Sequence, residues 1–170
     1  MKDVLKGGAW VFGDNVDTDV MAPWNTLALP WEERRKAVLA VRPEFVARVQ
    51  PGDVIVAGRN WGCGSSREQA PENLQLLGVA AVVAESFGRI YFRNCVAIAF
   101  PTLACPGIQA ACADGDAVEI DLRSGRVHNR TRDVVLQARR YAPDMLAILE
   151  AGGLLEVLKR RVASGSGERP

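Results

Sequence analysis

A chain of 170 residues is long enough for one well-filled core and short for two, so a single domain is expected. With 48% apolar and 24% charged residues it has the make-up of a globular protein, and a formal net charge of +1 gives no whole-molecule attraction for a polyanion, which argues against nucleic acid as the main partner. No apolar run reaches the length needed to cross a bilayer, and the N-terminal MKDVLKGGAW lacks the hydrophobic region of a secretion signal, so a cytoplasmic protein without membrane association is expected.

In chain order, GGAWVFG reads as a short apolar strand that runs into the polar turn GDNVDTD. The stretch from Val20 to Val49 carries Pro23, Pro30 and Pro43 and predicts a short helix around Trp31 to Val41, an excursion rather than core. Next, PGDVIVAG is a turn followed by the β-branched strand Val54 to Ala57, which delivers the chain to GCGSSRE. A helical stretch ending near Leu77 and Gly78 leads to AAVVAES, an apolar run of the kind buried on both faces, and FGRIYFRNCVAIAF reads as a helix and then a strand. Strand, helix, strand, helix, strand with short connections predicts right-handed βαβ crossovers and a largely parallel α/β core.

The later part alternates apolar and polar residues. DAVEIDLRSGRVHNRTRDVVLQA turns at SG and NR, which predicts antiparallel strands. APDMLAILEAGGLLEVLKRR predicts two short amphipathic helices broken at Gly152 and Gly153. The domain is therefore expected to span residues 1–161, with a disordered tail over 162–170, VASGSGERP. Cys63, Cys95, Cys105 and Cys112 form no CxxC pair, and with His128 as the single histidine they read as small buried hydrophobes rather than a metal site.

The most informative stretch is GCGSSREQAP, residues 62–71. Ser65 with Glu68, and Ser66 with Gln69, have the spacing of a capping box, which accounts for much of it. Capping does not require Gly62, Gly64 or Arg67. Glycines let a bound group approach the backbone, a helix entrance offers unpaired N–H groups, and arginine supplies a planar fork for a carboxylate. On these residues alone, a cap and an anion site stand side by side, and a serine in such a field loses its proton more readily than in water. A nucleophilic serine would depend on His128, far along the chain.

GDNVDTDVMAP, then PGDVIVAGRNWGCGSSREQAPENLQLLGVAAVVAESFGRIYFRN, then LEAGGLLEVLKR together resemble the small subunits of the 3-isopropylmalate dehydratase and homoaconitase family, in the aconitase superfamily, from Gly13 to Arg161. The resemblance implies an α/β fold of the aconitase C-terminal-domain kind, a swivelling β/β/α domain with a mainly parallel core and added antiparallel strands. It implies a hydro-lyase that moves a hydroxyl between neighbouring carbons by dehydration and rehydration. A separate large subunit would carry a [4Fe-4S] cluster, and this chain would bind no metal itself. By position, Ser65 would remove the carbon-bound proton, Ser66 would help hold the site, and Arg67 would bind a substrate carboxylate.

The same resemblance places Asp17, Thr18 and Asp19 at the active-site edge, while Asp14 and Asn15 equally suit a tight turn stabilised by local side-chain bonds. Arg89 and Arg93 lie inside the matched region without an assigned role. In the family the loop after the proline chooses the substrate, with YLRT in homoaconitase-like chains and YLVY in isopropylmalate-like ones. Here it reads Thr26, Leu27, Ala28 and Leu29, with Ala28 at the choosing position, so no arginine meets a third carboxylate and the neighbouring leucines suit an apolar substituent. Because this loop is neither standard form, citramalate, dimethylmalate and homocitrate stand as alternatives to isopropylmalate, and a non-catalytic dicarboxylate-binding module stands as an alternative to an enzyme. Gln69 departs from the histidine usual in the family and removes a titrating group.

Overall fold

The computed structural model describes residues 3–163. In chain order the elements are β1 (Val4–Val11), α1 (Thr18–Met21), α2 (Trp31–Arg34), α3 (Pro43–Arg48), β2 (Val54–Ala57), α4 (Gln69–Leu76), β3 (Ala81–Ala84), α5 (Arg89–Ala97), β4 (Thr102–Ala104), α6 (Ile108–Ala111), β5 (Ala117–Asp121), β6 (Arg126–Asn129), β7 (Val134–Gln137), α7 (Pro143–Ala151) and α8 (Leu154–Ala163). The strands form one sheet in the order β4-β3-β2-β1-β5-β6-β7. From β4 to β1 the pairs are parallel, and from β1 to β7 they are antiparallel, as the sequence pattern predicts.

β1 serves both halves. Its first part, Val4 to Gly8, pairs antiparallel with β5, and its last part, Ala9 to Val11, pairs parallel with β2. β2 and β3 are buried along their whole length because helices and loops cover both faces. Side chains alternate accordingly: Ile55, Ala57, Val82 and Ala84 join a core with Phe12, Phe45, Trp61, Leu74 and Tyr91. Val54, Val56, Ala81 and Val83 face a second core with Leu103, Ile108, Ile120 and Val127. In the first core Phe12 stands edge-on to Phe45 at 5.6 Å and to Trp61 at 5.5 Å. Arg42 closes that corner: its guanidinium lies over Trp10 and Phe12 and pairs with Asp114 at 2.7 Å.

Three elements depart from expectation. The helix expected over Trp31 to Val41 is α-helical only to Arg34; a 3-10 turn over Arg35–Ala37 follows, and Leu39 takes a φ of 51°. Tertiary packing overrides local propensity here, because Val38 and Leu39 are fully buried and the Leu39 N–H donates to the Val20 carbonyl. In FRNCVAIAF the helix continues to Ala97 and the strand comes later, at Thr102–Ala104, since burial of Cys95 and Val96 on the core uses helical rather than alternating spacing. Finally α8 runs to Ala163, so Val162 and Ala163, expected in a disordered tail, are helical; residues 164–170 of that expected tail lie outside the described residues. No helix among the described residues is long and apolar enough to cross a membrane.

β4 is the open edge of the parallel half, and the chain covers it. The Thr102 N–H donates to Tyr141 Oη at 2.6 Å, the Tyr141 hydroxyl donates back to the Thr102 carbonyl at 2.6 Å, and the Arg139 N–H donates to Ala104 at 2.7 Å. Burial pushes the Tyr141 phenol up to about 12, so it stays a donor at neutral pH.

On the antiparallel side, Asp116 accepts from Asn129 Nδ2 at 2.7 Å, from the Ala113 N–H at 2.8 Å and from Arg132 Nε at 2.7 Å. Those bonds, led by Asn129, hold its carboxyl below the usual range. A depressed carboxyl pKa gives stability that is complete above the unfolded value, about 4, and is lost as pH falls through the folded value. Asp116→Ala should therefore cost about 1 kcal/mol at pH 7 by removing an acceptor shared by three donors, and urea melts should show a shallower acid-side loss of stability than in the parent.

Candidate active site

The parallel strands release their C-terminal loops on one side of the sheet, where open α/β folds place their sites. The loop after β1 and the loop after β2 are joined along their length. Gly58 N–H donates to Gly13 at 3.2 Å, Asn15 N–H to Arg59 at 2.8 Å, Gly62 N–H to Val16 at 2.8 Å and Thr18 N–H to Cys63 at 2.9 Å. Asp14 Oδ1 accepts from the Arg59 N–H, and Asn15 Oδ1 accepts from Asn60 Nδ2. Asp14 and Asn15 are thus turn residues that fasten one loop to the other. Asp17, partly exposed, caps α1 by accepting from the Asp19 N–H at 2.7 Å.

Thr18 is the pin. It is 1% exposed, and its hydroxyl donates to the Ser65 carbonyl at 2.9 Å, fixing the serine backbone from beneath. Gly62 and Gly64 lie in the left-handed region, with φ of 72° and 91°. A Cβ on the first would overlap the Tyr91 ring, and one on the second would overlap the Asp17 carboxylate, so the motif needs both glycines to run this close to its neighbours.

The capping-box reading does not hold. α4 begins at Gln69 with Glu68 as its N-cap and no side-chain cap, so both serines stand ahead of the helix. The pairing of residues 62–65 with Val16 and Thr18 holds this stretch out of helical geometry. Pro71 has no N–H, and the Ala70 N–H is spent on the Arg67 carbonyl, so α4 offers an anion less than an open helix end would. Ser65 and Ser66 are exposed, and among the described residues neither hydroxyl makes a hydrogen bond.

Arg67 is held from the other side. Its Nη2 pairs with Asp19 Oδ1 at 2.7 Å and its Nη1 donates to the Ala22 carbonyl; the side chain is 14% exposed against 57% for Asp19. Asn73, buried in α4, donates to the Met21 carbonyl at 2.9 Å and reinforces the same join. Sequence reading missed Asn73; the available signal was an amide on the inward face of an otherwise apolar helix turn. It also missed Trp24, 75% exposed directly after the Ala22–Pro23 step, where so large an apolar surface is unusual.

Of the predicted site residues, then, Asp17, Thr18, Asp19, Ser65 and Arg67 are brought together, with Ser66 beside them. The loop residues divide. Thr26 is buried with its hydroxyl donating to the Pro23 carbonyl at 2.7 Å, and Leu27 packs on the core, so these two face inward; Ala28 and Leu29 are exposed. The loop meets the serine segment through Ala22, the partner of Arg67.

At Cys63, in the same loop, partial burial and then the Asp17 charge raise the thiol pKa, which favours the protonated form. Burial likewise pushes Cys105 up to about 11 and raises Cys95 and Cys112. His128 sits on β6, bonded to Asp133 Oδ1 at 2.9 Å, so it is not available as a base for Ser65. Among the described residues no group of three or more His, Cys, Asp or Glu side chains is placed to hold a metal ion. The arrangement offers exposed hydroxyls on a fixed backbone beside a guanidinium aimed by a carboxylate.

Residues 32–106 match the family described as aconitase C-terminal domain. The chain is 46% identical to the 3-isopropylmalate dehydratase small subunit 1 of Methanopyrus kandleri, over 94% of this chain and 95% of the relative. It is 44% identical to the methanogen homoaconitase small subunit of Methanothermobacter thermautotrophicus, over 97% and 96%. The crystal structure of 3-isopropylmalate dehydratase from Methanocaldococcus jannaschii superimposes with a TM-score of 0.87 at 36% identity, covering 98% of this chain and 99% of that one.

The tight approach at Gly64 gives a direct test. Gly64→Ala should lower stability by about 1–3 kcal/mol through strain and collision with Asp17, read as a lower denaturation midpoint with an unchanged m-value.

Proposed function

Because the chain belongs to the 3-isopropylmalate dehydratase small-subunit family of aconitase-type hydro-lyases, we propose that it works with a large subunit to interconvert 2-isopropylmalate and 3-isopropylmalate, a step of leucine biosynthesis. In this reading Ser65 takes the proton from carbon and Arg67 holds a carboxylate of the substrate. The observation that carries it is the state of Ser65: its backbone is pinned by Thr18 while its hydroxyl is exposed and has no structural task.

Dehydration moves a proton from carbon to the Ser65 oxygen, turns the C–H electron pair into the new double bond, and expels hydroxide from the adjacent carbon. Rehydration with the positions exchanged gives the isomer. Ser65 must enter this step as the alkoxide, a form that positive charge at the closed site would favour. Arg67 has five N–H donors; one goes to Ala22 and one to Asp19, so the guanidinium keeps donors for a carboxylate while its plane stays fixed. Cationic contact with that carboxylate also stabilises charge that builds as the proton leaves. The [4Fe-4S] cluster belongs in this proposal to the large subunit and supplies Lewis acidity toward the departing hydroxyl. No ligand set for it exists among the described residues of this chain.

For substrate choice, Ala28 and Leu29 are the exposed residues of the loop, and Thr26 and Leu27 act by shaping it. Neither exposed side chain can pair with a third carboxylate, which supports isopropylmalate over homocitrate even though a homoaconitase subunit is a close relative. A methylene fitted there discriminates by only about 1–3 kcal/mol, so citramalate and dimethylmalate belong in the assay.

Co-expression with the large subunit and anaerobic assay on 2-isopropylmalate, citramalate, dimethylmalate and homocitrate should give the highest kcat/KM for 2-isopropylmalate. Inactivity on all four with an intact cluster would reject the proposal. Ser65→Ala should reduce kcat by about 10²–10⁴-fold with little change in substrate affinity. A dicarboxylate-binding module would instead show affinity without turnover in the parent complex. Ala28→Arg should raise relative activity on homocitrate; no change would remove Ala28 from substrate choice.

A further inference from the structure

A cavity of about 620 Å³ lies between the N-terminal half of α5, the edge strand β4 and the segment that covers that edge. None of the residues assigned above to catalysis or substrate binding lines it. Its volume is that of an ordinary small-molecule site. Arg89 and Arg93 stand on one wall and Arg139 and Arg140 on the other.

These four arginines are exposed and have no carboxylate at ion-pair distance among the described residues. Elsewhere Arg42, Arg67, Arg123 and Arg132 each pair with a carboxylate at 2.6–3.1 Å. Among the described residues none of the four forms an ion pair, and Arg140 donates only to the Ser124 carbonyl. Arg89 is the first residue of α5, at the positive end of the helix, whose first turn holds no acid and whose Gly88 N-cap has no side chain. Arg93 follows at i+4, a like-charge spacing that repels. Each placement is unfavourable alone, and together they concentrate positive potential in a concave site.

Between the walls the lining is aromatic. The Phe92 and Tyr141 rings lie 6.3 Å apart, 27° from parallel, and Phe87 lies 5.9 Å from Phe92. Tyr141 is immobilised by its two bonds to Thr102. Fixed rings with forked cations on opposite sides suit a ligand that has a flat apolar body and several negative charges.

We propose that this cavity, whose lining includes neither Ser65, Ser66 nor Arg67, is a second ligand site that takes an organic polyanion of the nucleoside polyphosphate kind. The near-parallel Phe92 and Tyr141 rings favour a molecule with a flat ring over an acidic protein segment.

The test is titration calorimetry of the full chain with ATP and, separately, with inorganic pyrophosphate. ATP should bind at one site per chain, more tightly than pyrophosphate, and less tightly as salt rises. Arg93→Gln/Arg139→Gln, which removes one cation from each wall, should weaken ATP by about tenfold or more, with an unchanged thermal midpoint to show that the fold is intact. Absence of saturable ATP binding, pyrophosphate binding as tightly as ATP, or indifference to the double substitution overturns the proposal. So does a double variant that fails to assemble with the large subunit when the parent chain shows no ATP binding, because the arginines then belong to a subunit contact.

Discussion

The architecture of the site depends on one set of bonds, the backbone pairing between the loop leaving β1 and the loop leaving β2. Gly62 to Val16, Cys63 to Thr18 and the Thr18 hydroxyl to Ser65 turn two irregular segments into a two-stranded ribbon beyond the sheet. Irregular backbone at a site must satisfy its polar groups somewhere, and here each loop satisfies the other. The serine hydroxyls need no structural partners as a result. A capping serine would be anchored by its side chain; Ser65 is anchored by its carbonyl, and its hydroxyl stays out of the framework.

The same ribbon explains why the two acidic residues near its end behave differently. Asp17 points back into the structure, capping α1 beside Gly64, whereas Asp19 points outward and aims Arg67. Arg67 and Asn73 then bind the carbonyls at the end of α1, so α4, α1 and the serine loop form one rigid unit. Preorganisation of this kind reduces the ordering that any bound ligand would have to impose.

Much of this was legible from residues alone. The buried runs of β2 and β3, the antiparallel pairing of β5 to β7 and the break at Gly152 and Gly153 follow from local period and turn chemistry, and the structure has them. The errors lie where distant contacts decide. Residues 35–41 have helical composition but unwind to bury Val38 and Leu39, and Ser65 and Ser66 have capping-box spacing but stand ahead of a helix that begins at Gln69, with the Ser65 carbonyl claimed by Thr18, far away in sequence. Spacing can specify which groups are three apart; it cannot specify which neighbour will claim the backbone. The loop over Thr26 to Leu29 shows the same limit, since its likeness to the family's loop singles out Ala28 with Leu27 and Leu29 beside it but not which side chains turn inward: Thr26 and Leu27 do, and Ala28 and Leu29 stay exposed. Net charge hid the arginines of the second cavity, because a sum near zero says nothing about where the cations collect.

The shared first strand has a bearing on how the protein is made. β1 leaves the ribosome first, its partner β2 follows soon after, but β5, which must cover Val4 to Gly8, arrives only in the last third of synthesis. Until then the growing chain carries a half-finished sheet with an uncovered margin, the kind of surface on which nascent polypeptides stick to one another. Completion of the amino-terminal strand is thereby tied to release of the carboxyl-terminal third, so a prematurely terminated product would lack closure at its very first element.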